Sequence, residues 1–260
     1  MLQQYFQAKD AHPGVLVAMR VGDFYEFYGE DAETAAATLE ITLTGREDGK
    51  NGRISMAGVP FHSVEKYLAR LVAAGHKVAL CDQVEDPKKA KGLVRREVTR
   101  VLTAGTLLED AMLQAGANNF LAAVSIVDGK AGLATLDPST GEFLVTEIDG
   151  DRVPERILQE LSRLMPAELL TTPGTEEWPE AAKQSLGIVT TQKAPPDAHR
   201  AEQTLLKQFQ VANLGGFGIA GKTGAIVAAT MVLDYAQSNG LNLSHVDSLA
   251  TYSVDGFMRL

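Results

Sequence analysis

The sequence has little of what most chemistry requires. One cysteine, Cys81, occurs in 260 residues, so no internal disulfide can form and no thiolate metal site can be built from cysteine. Its setting, Val78-Ala79-Leu80-Cys81, reads as a small buried core residue in a reducing compartment, the cytoplasm. The five histidines are scattered, and no His/Cys/Asp group has metal-ligand spacing, so no metal ligand is nominated. No apolar run approaches the roughly 20 residues of a membrane span, and no signal peptide is read at the start. A basic excess is missing too, with 24 Lys+Arg against 33 Asp+Glu and a formal charge of −9. Aromatics make up only 6%, yet four of them fall within Phe24-Tyr25-Glu26-Phe27-Tyr28.

The charge is uneven. Residues 1–103 carry 14 Lys+Arg and 14 Asp+Glu, and the acidic excess lies wholly downstream. Within the neutral part, Lys88, Lys89, Lys91, Arg95, Arg96 and Arg100 stand against one acid, Glu97. Only the field at a contact matters to a phosphate, so such a strip permits nucleic-acid binding. A solvated loop and strand edge fits the same charges.

The pattern of elements predicts an α/β chain. Helix signals at 2–10, 30–40 and from Ser63 to Ala74 alternate with strand signals at Val15–Val21, Ile41–Thr44, Lys77–Val84 and Val98–Leu102. A link near 103–119 leads to strands flanking Asp128-Gly129-Lys130, a hairpin signal, and to a third at Gly141–Ile148. Helices near 154–164, 176–185, 199–213 and 222–238 follow, with strands near 167–171 and 187–191. Three strands and then alternation is the order of an RNase H-like sheet. The expected units are 1–103, 104–240, and a remnant at 241–260 that reads as the start of a further domain.

On a strand, Phe24 and Glu26 share one face while Tyr25 and Phe27 share the other. Two residues span roughly 6.6 Å, about two base-pair steps. An aromatic wedge beside a carboxylate could therefore stack on one base and hydrogen-bond its neighbour. A strand packed into the core fits the same residues.

Gly22-Asp23-Phe24-Tyr25-Glu26 resembles the Phe-x-Glu signature of mismatch-recognition domains in the MutS family. Met56-Ala57-Gly58-Val59-Pro60-Phe61-His62 resembles the second signature of that domain. Gln83, Gly92–Val98 and Leu102-Thr103-Ala104-Gly105-Thr106 are similar to its closing strand and linker. Leu136–Phe143 and Pro166–Leu170 continue the likeness through a connector domain. The resemblance implies a mixed-sheet mismatch-recognition domain followed by an RNase H-like connector. Phe24 and Glu26 would then read a mispaired base in double-stranded DNA. Tyr25, Met56, Gly58, His62, Lys88, Lys89, Arg95 and Arg96 would support the site or meet the backbone. It further implies MutL as a partner through the connector, a homodimer for the full-length protein with this piece monomeric, and ATP and Mg only in an ATPase domain that these residues lack. A relative that serves protein interaction without reading mismatches is the alternative.

Two other patterns invite an enzyme reading. Gly216–Thr223 matches G-x-x-x-x-G-K-[ST], but a helical run precedes it where a P-loop needs a buried strand. Asp128, Asp137 and Glu142 lie in turn chemistry beside Gly129 and Pro138, not in a convergent metal cluster. No catalytic residue is nominated.

Overall fold

The computed structural model describes residues 1–47, 52–85, 92–108, 112, 118–173 and 177–254. The chain divides into two units, one built on Met1–Ala104 and one on residues 118–254 with Gly105–Leu108.

In the first unit, α1 (Leu2–Ala11) leads to a hairpin of β1 (Leu16–Val21) and β2 (Phe24–Tyr28). There follow α2 (Glu30–Leu39), β3 (Thr44–Glu47), β4 (Arg53–Pro60), α3 (Val64–Ala73), β5 (Val78–Gln83) and β6 (Arg96–Leu102). The strands form one mixed sheet in the order β3-β4-β2-β1-β5-β6, parallel only between β1 and β5. β2 therefore lies inside the sheet, hydrogen-bonded on both sides. Tyr5 of α1 packs edge-on against Tyr28 at 5.0 Å between ring centroids. Its hydroxyl donates to Asp31 at 2.6 Å, and Asp31 also accepts from the Val17 amide at 2.9 Å and from Lys9. This buried carboxylate ties α1, β1 and α2 together, which compensates its removal from water.

The strand expected at Ile41–Thr44 forms later, at Thr44–Glu47. Glu40 ends α2 in the left-handed conformation and the Ile41 amide bonds back to Ala36, so these residues are spent leaving the helix. Ser63 occupies the N-cap of α3 without making a side-chain cap bond, and Gly75 follows its end at φ +87°.

The second unit opens with β7 (Leu121–Val127), β8 (Lys130–Leu136) and β9 (Phe143–Ile148), an antiparallel meander. Asp128 and Gly129 both have positive φ, as a two-residue hairpin turn requires. α4 (Val153–Leu164), β10 (Glu168–Thr171), α5 (Glu177–Leu186), β11 (Val189–Gln192), α6 (Ala198–Phe209) and α7 (Thr223–Ser238) complete the alternation, with β10 and β11 parallel to β7. α6 stops at Phe209, four residues before the expected end, where Gln210 turns left-handed.

α7 lies against β8 because two glycines meet. A Cβ at Gly132 would fall inside the Gly224 carbonyl group, and one at Gly224 would lie 2.9 Å from the Gly132 nitrogen. Residues after 240 do not stand apart as the sequence suggested. Leu241, Leu243, Val246 and Leu249 are buried in the core of the second unit, and β12 (Ala250–Thr251) pairs with β9. Leucine and valine spaced two to three apart need a core, and this sheet edge supplies one.

Candidate nucleic-acid interface

The β1–β2 turn is tight, with Gly22 at φ +57° and the Phe61 amide donating to the Asp23 carbonyl at 2.9 Å. Phe24 follows it, opposite Val21 on β1 and Pro60 on β4. Tyr25 and Phe27 are buried on one face of β2, as alternation requires. The other face changes along its length. Tyr28 is 1% exposed beneath α1, Glu26 is half-buried, and Phe24 is 47% exposed. The ring of Phe24 is thus not core, and the packed-strand reading fails for it while holding for its two neighbours.

Glu26 is held from one side. Tyr28 Oη donates to Glu26 Oε2, and Arg46 Nη1 on β3 donates to the same oxygen at 3.2 Å and to Tyr28 Oη at 3.0 Å. Burial, followed by the Glu26 carboxylate, pushes the Tyr28 phenol above its ordinary range, so it remains a donor. Opposite Glu26 on β4 stands Gly58. A Cβ there would touch Glu26 Cγ at 3.6 Å and Phe24 Cδ1 at 3.8 Å, so glycine keeps the space beside both side chains open. Phe24, Glu26, Met56, Gly58 and Pro60, with Glu40, Ile41, Thr42 and Thr44, line a cleft of about 620 Å³.

The back of the turn is braced. Arg20 sets its guanidinium carbon 3.3 Å from the Phe61 ring centroid and donates from Nε to the Gly22 carbonyl. Phe61 stacks on Tyr25 at 6.0 Å, and the Tyr25 hydroxyl donates to Asp82, which also accepts from Thr99. Burial and Asp82 raise the Tyr25 phenol as well.

The remaining nominated residues scatter. His62 is exposed on the turn before α3. Arg95 is exposed and paired with Glu97, while its amide donates to Glu85 at 2.6 Å. Arg96 is half-buried and committed to the chain, donating to the carbonyls of Arg20 at 2.7 Å and Val94 at 2.9 Å. It is a brace between β6 and β1, not a free cation for phosphate. Lys88 and Lys89 lie outside the described residues. Sequence reading missed Tyr28, Arg46 and Arg20. Alternation alone puts Tyr28 on the face of Phe24 and Glu26, a signal that was available; Arg46 needed the β3–β4–β2 order.

Both enzyme-like patterns lie in turns and helix contacts. Gly216–Thr223 follows α6 and begins within a 3-10 turn (Gly215–Phe217), with no strand before it, and leads into an α7 whose first turn is pressed on Gly132. Ser125 donates to the Gly224 carbonyl at 2.7 Å within that contact. Asp137 is buried and accepts from the Asn119 and Ser139 amides and the Ser139 hydroxyl, which closes the β8–β9 turn. Glu142 accepts from Asn118, and Asp128 is exposed in its hairpin. Among the described residues no group of three His, Cys, Asp or Glu is arranged to hold a metal ion, and no helix is long and apolar enough to cross a membrane.

Residues 1–111 match the family model for MutS domain I, and residues 119–247 match that for MutS domain II. The DNA mismatch repair protein MutS of Syntrophomonas wolfei is 42% identical over 268 residues, covering 100% of this chain and 31% of the relative. That of Syntrophobacter fumaroxidans is 47% identical over 264 residues, covering 99% and 29%. That of Methanothrix thermoacetophila is 54% identical over 175 residues, covering 67% and 20%. The chain spans under a third of the length of these relatives. Two domain models matched in order, and relatives alike from end to end of the chain, lead to one statement: this chain belongs to the MutS family.

Proposed function

We propose that this chain reads mispaired or unpaired bases in duplex DNA for mismatch repair, with Phe24 entering the minor groove and Glu26 hydrogen-bonding the base. The observation that carries the reading is a large aromatic ring left 47% exposed on a strand whose three other rings are buried. A half-buried carboxylate lies two residues away on the same face. A ring pushed between base steps must unstack them and kink the duplex, which costs a few kcal/mol. A mismatch has already lost part of its pairing and stacking, so the same deformation costs less there. Selectivity then comes from how easily the site deforms.

The first unit is neutral overall, so general affinity for phosphate is weak and binding falls steeply with salt. In the longer proteins of the family, the second unit would serve as the connector that meets MutL. Dimerisation and ATP with Mg would belong to the whole protein and its ATPase.

The experiment is Phe24→Ala. Loss of base–aromatic stacking is worth about 1–3 kcal/mol, or roughly 5- to 150-fold in affinity for mismatched duplex. Matched-duplex binding, which rests on phosphates, should hardly change. The melting curve should not shift, because a ring this exposed leaves no cavity. Equal loss on both duplexes with a lower melting temperature would overturn the reading.

A further inference from the structure

We propose that Tyr28 is a specificity-determining positioning residue that presents Glu26 to DNA through one oxygen, as an acceptor, and so favours bases that offer a ring N–H. The inference rests on the base-reading role of Glu26 and adds what that role selects.

Three observations carry it. The two donors that reach Glu26, the Tyr28 hydroxyl and Arg46 Nη1, both address Oε2. Oε1 has no hydrogen-bond partner among the described residues, and the space beside the carboxylate is kept open by Gly58 and lined by Phe24. The Tyr28 ring is itself immobile, 1% exposed and packed edge-on against Tyr5. Its hydroxyl accepts from Arg46 at 3.0 Å and donates to Glu26 Oε2, the one other acceptor in reach being the weak Met1 sulfur at 3.5 Å, so the single phenolic proton goes to Oε2.

The chemical consequence follows from donor and acceptor inventories. With Oε2 occupied by two donors, the carboxylate meets a base through Oε1, an acceptor that wants an N–H. Thymine and guanine carry a ring N–H that mispairing or extrusion leaves unsatisfied. Adenine and cytosine carry a bare ring nitrogen at the corresponding edge, which would face the carboxylate as a second acceptor. Removing the phenol frees the carboxylate to rotate, and the two classes should converge. Arg46 alone cannot restore the restraint, since it reaches in from the partly exposed β3 side with a flexible stem.

The test measures affinities of this chain for duplexes carrying one unpaired T, G, A or C, and for matched duplex, at fixed low salt. The proteins are wild type, Tyr28→Phe, Glu26→Gln and the double variant, with melting curves for each. Wild type should prefer unpaired T and G over A and C by about three- to tenfold, the range of one net hydrogen bond. Tyr28→Phe should compress that ratio to within about twofold while leaving matched-duplex binding and its salt slope unchanged. In the Glu26→Gln background the same substitution should leave the ratio where it was, because the phenol acts through the carboxylate. A ratio unchanged by Tyr28→Phe, or changed equally with and without Glu26, overturns the proposal. A clear preference for unpaired over matched duplex with no ranking among the four bases overturns it too, while sparing the wedge. Loss of any preference for unpaired bases in the wild type removes both.

Discussion

In the first unit two phenylalanines, Phe24 and Phe61, stand exposed, with Arg20 against the Phe61 ring and Glu26, held by Tyr28 and Arg46, beside Phe24. In the second, several carboxylates are sealed inside. Glu168 is 0% exposed and accepts from the Gly105 amide at 3.1 Å, Thr191 at 2.6 Å and Tyr235 at 2.7 Å. Buried Glu160 takes Arg163 and Tyr252, and Asp137 closes a turn. Around Phe61 polar side chains brace a surface, and here they knit a core, as Asp31 does in the first unit. The difference teaches that a suggestive residue type is weak evidence until its partners are known.

The contrast can be broken most forcefully at Gly132. Gly132→Ala places a methyl inside the Gly224 carbonyl, and α7 must leave β8. The second unit should lose about 3 kcal/mol or more, the upper end of overpacking costs. Urea unfolding should show it, with the first unit's signal unmoved; a shift below about 0.5 kcal/mol would mean that the helix contact yields easily.

Alkaline pH should act on the first unit. Burial and then Asp82 raise the Cys81 thiol from an ordinary 9.0 to about 11. A raised acid keeps its proton in the folded state, so its contribution is full below pH 9.0 and is lost as pH rises to about 11. Melting of the first unit, read between those values, should fall, and native labelling of Cys81 by iodoacetamide should stay slow until it does. Rapid labelling at neutral pH would show that the thiol is not enclosed.

The smallest effect is expected at Lys222. Lys222→Ala should change stability and DNA binding by no more than about 0.5 kcal/mol. ATP binding by the parent chain, absent in that variant, would instead make the glycine-rich turn a working site.

Much of this was legible beforehand because it is local. The Asp128-Gly129 hairpin, the helix over 223–238 and the sharing of a face by Phe24 and Glu26 follow from turn chemistry and alternation. What was illegible depended on distant pairing. Arg96 reads as one more cation in a basic strip until β6 is set beside β5 and its guanidinium meets the Arg20 carbonyl. Arg46 reads as loop charge until β3 is zipped to β4. The leucines after 240 read as a fragment until a sheet edge is there to receive them. Gly216–Thr223 reads as a nucleotide loop until the next residue, Gly224, is found against Gly132.

The interior position of β2 has a mechanical consequence. On the proposed reading, a duplex bent around Phe24 would push back on the ring, and that load would enter the strand at its first residue. It is then shared across five backbone pairings with β4 and three with β1, so no single hydrogen bond bears it alone. A ring on an edge strand would peel its mount away one bond at a time, as a zipper opens. With a partner on each side, the sheet would have to give as a block before the tip recoiled.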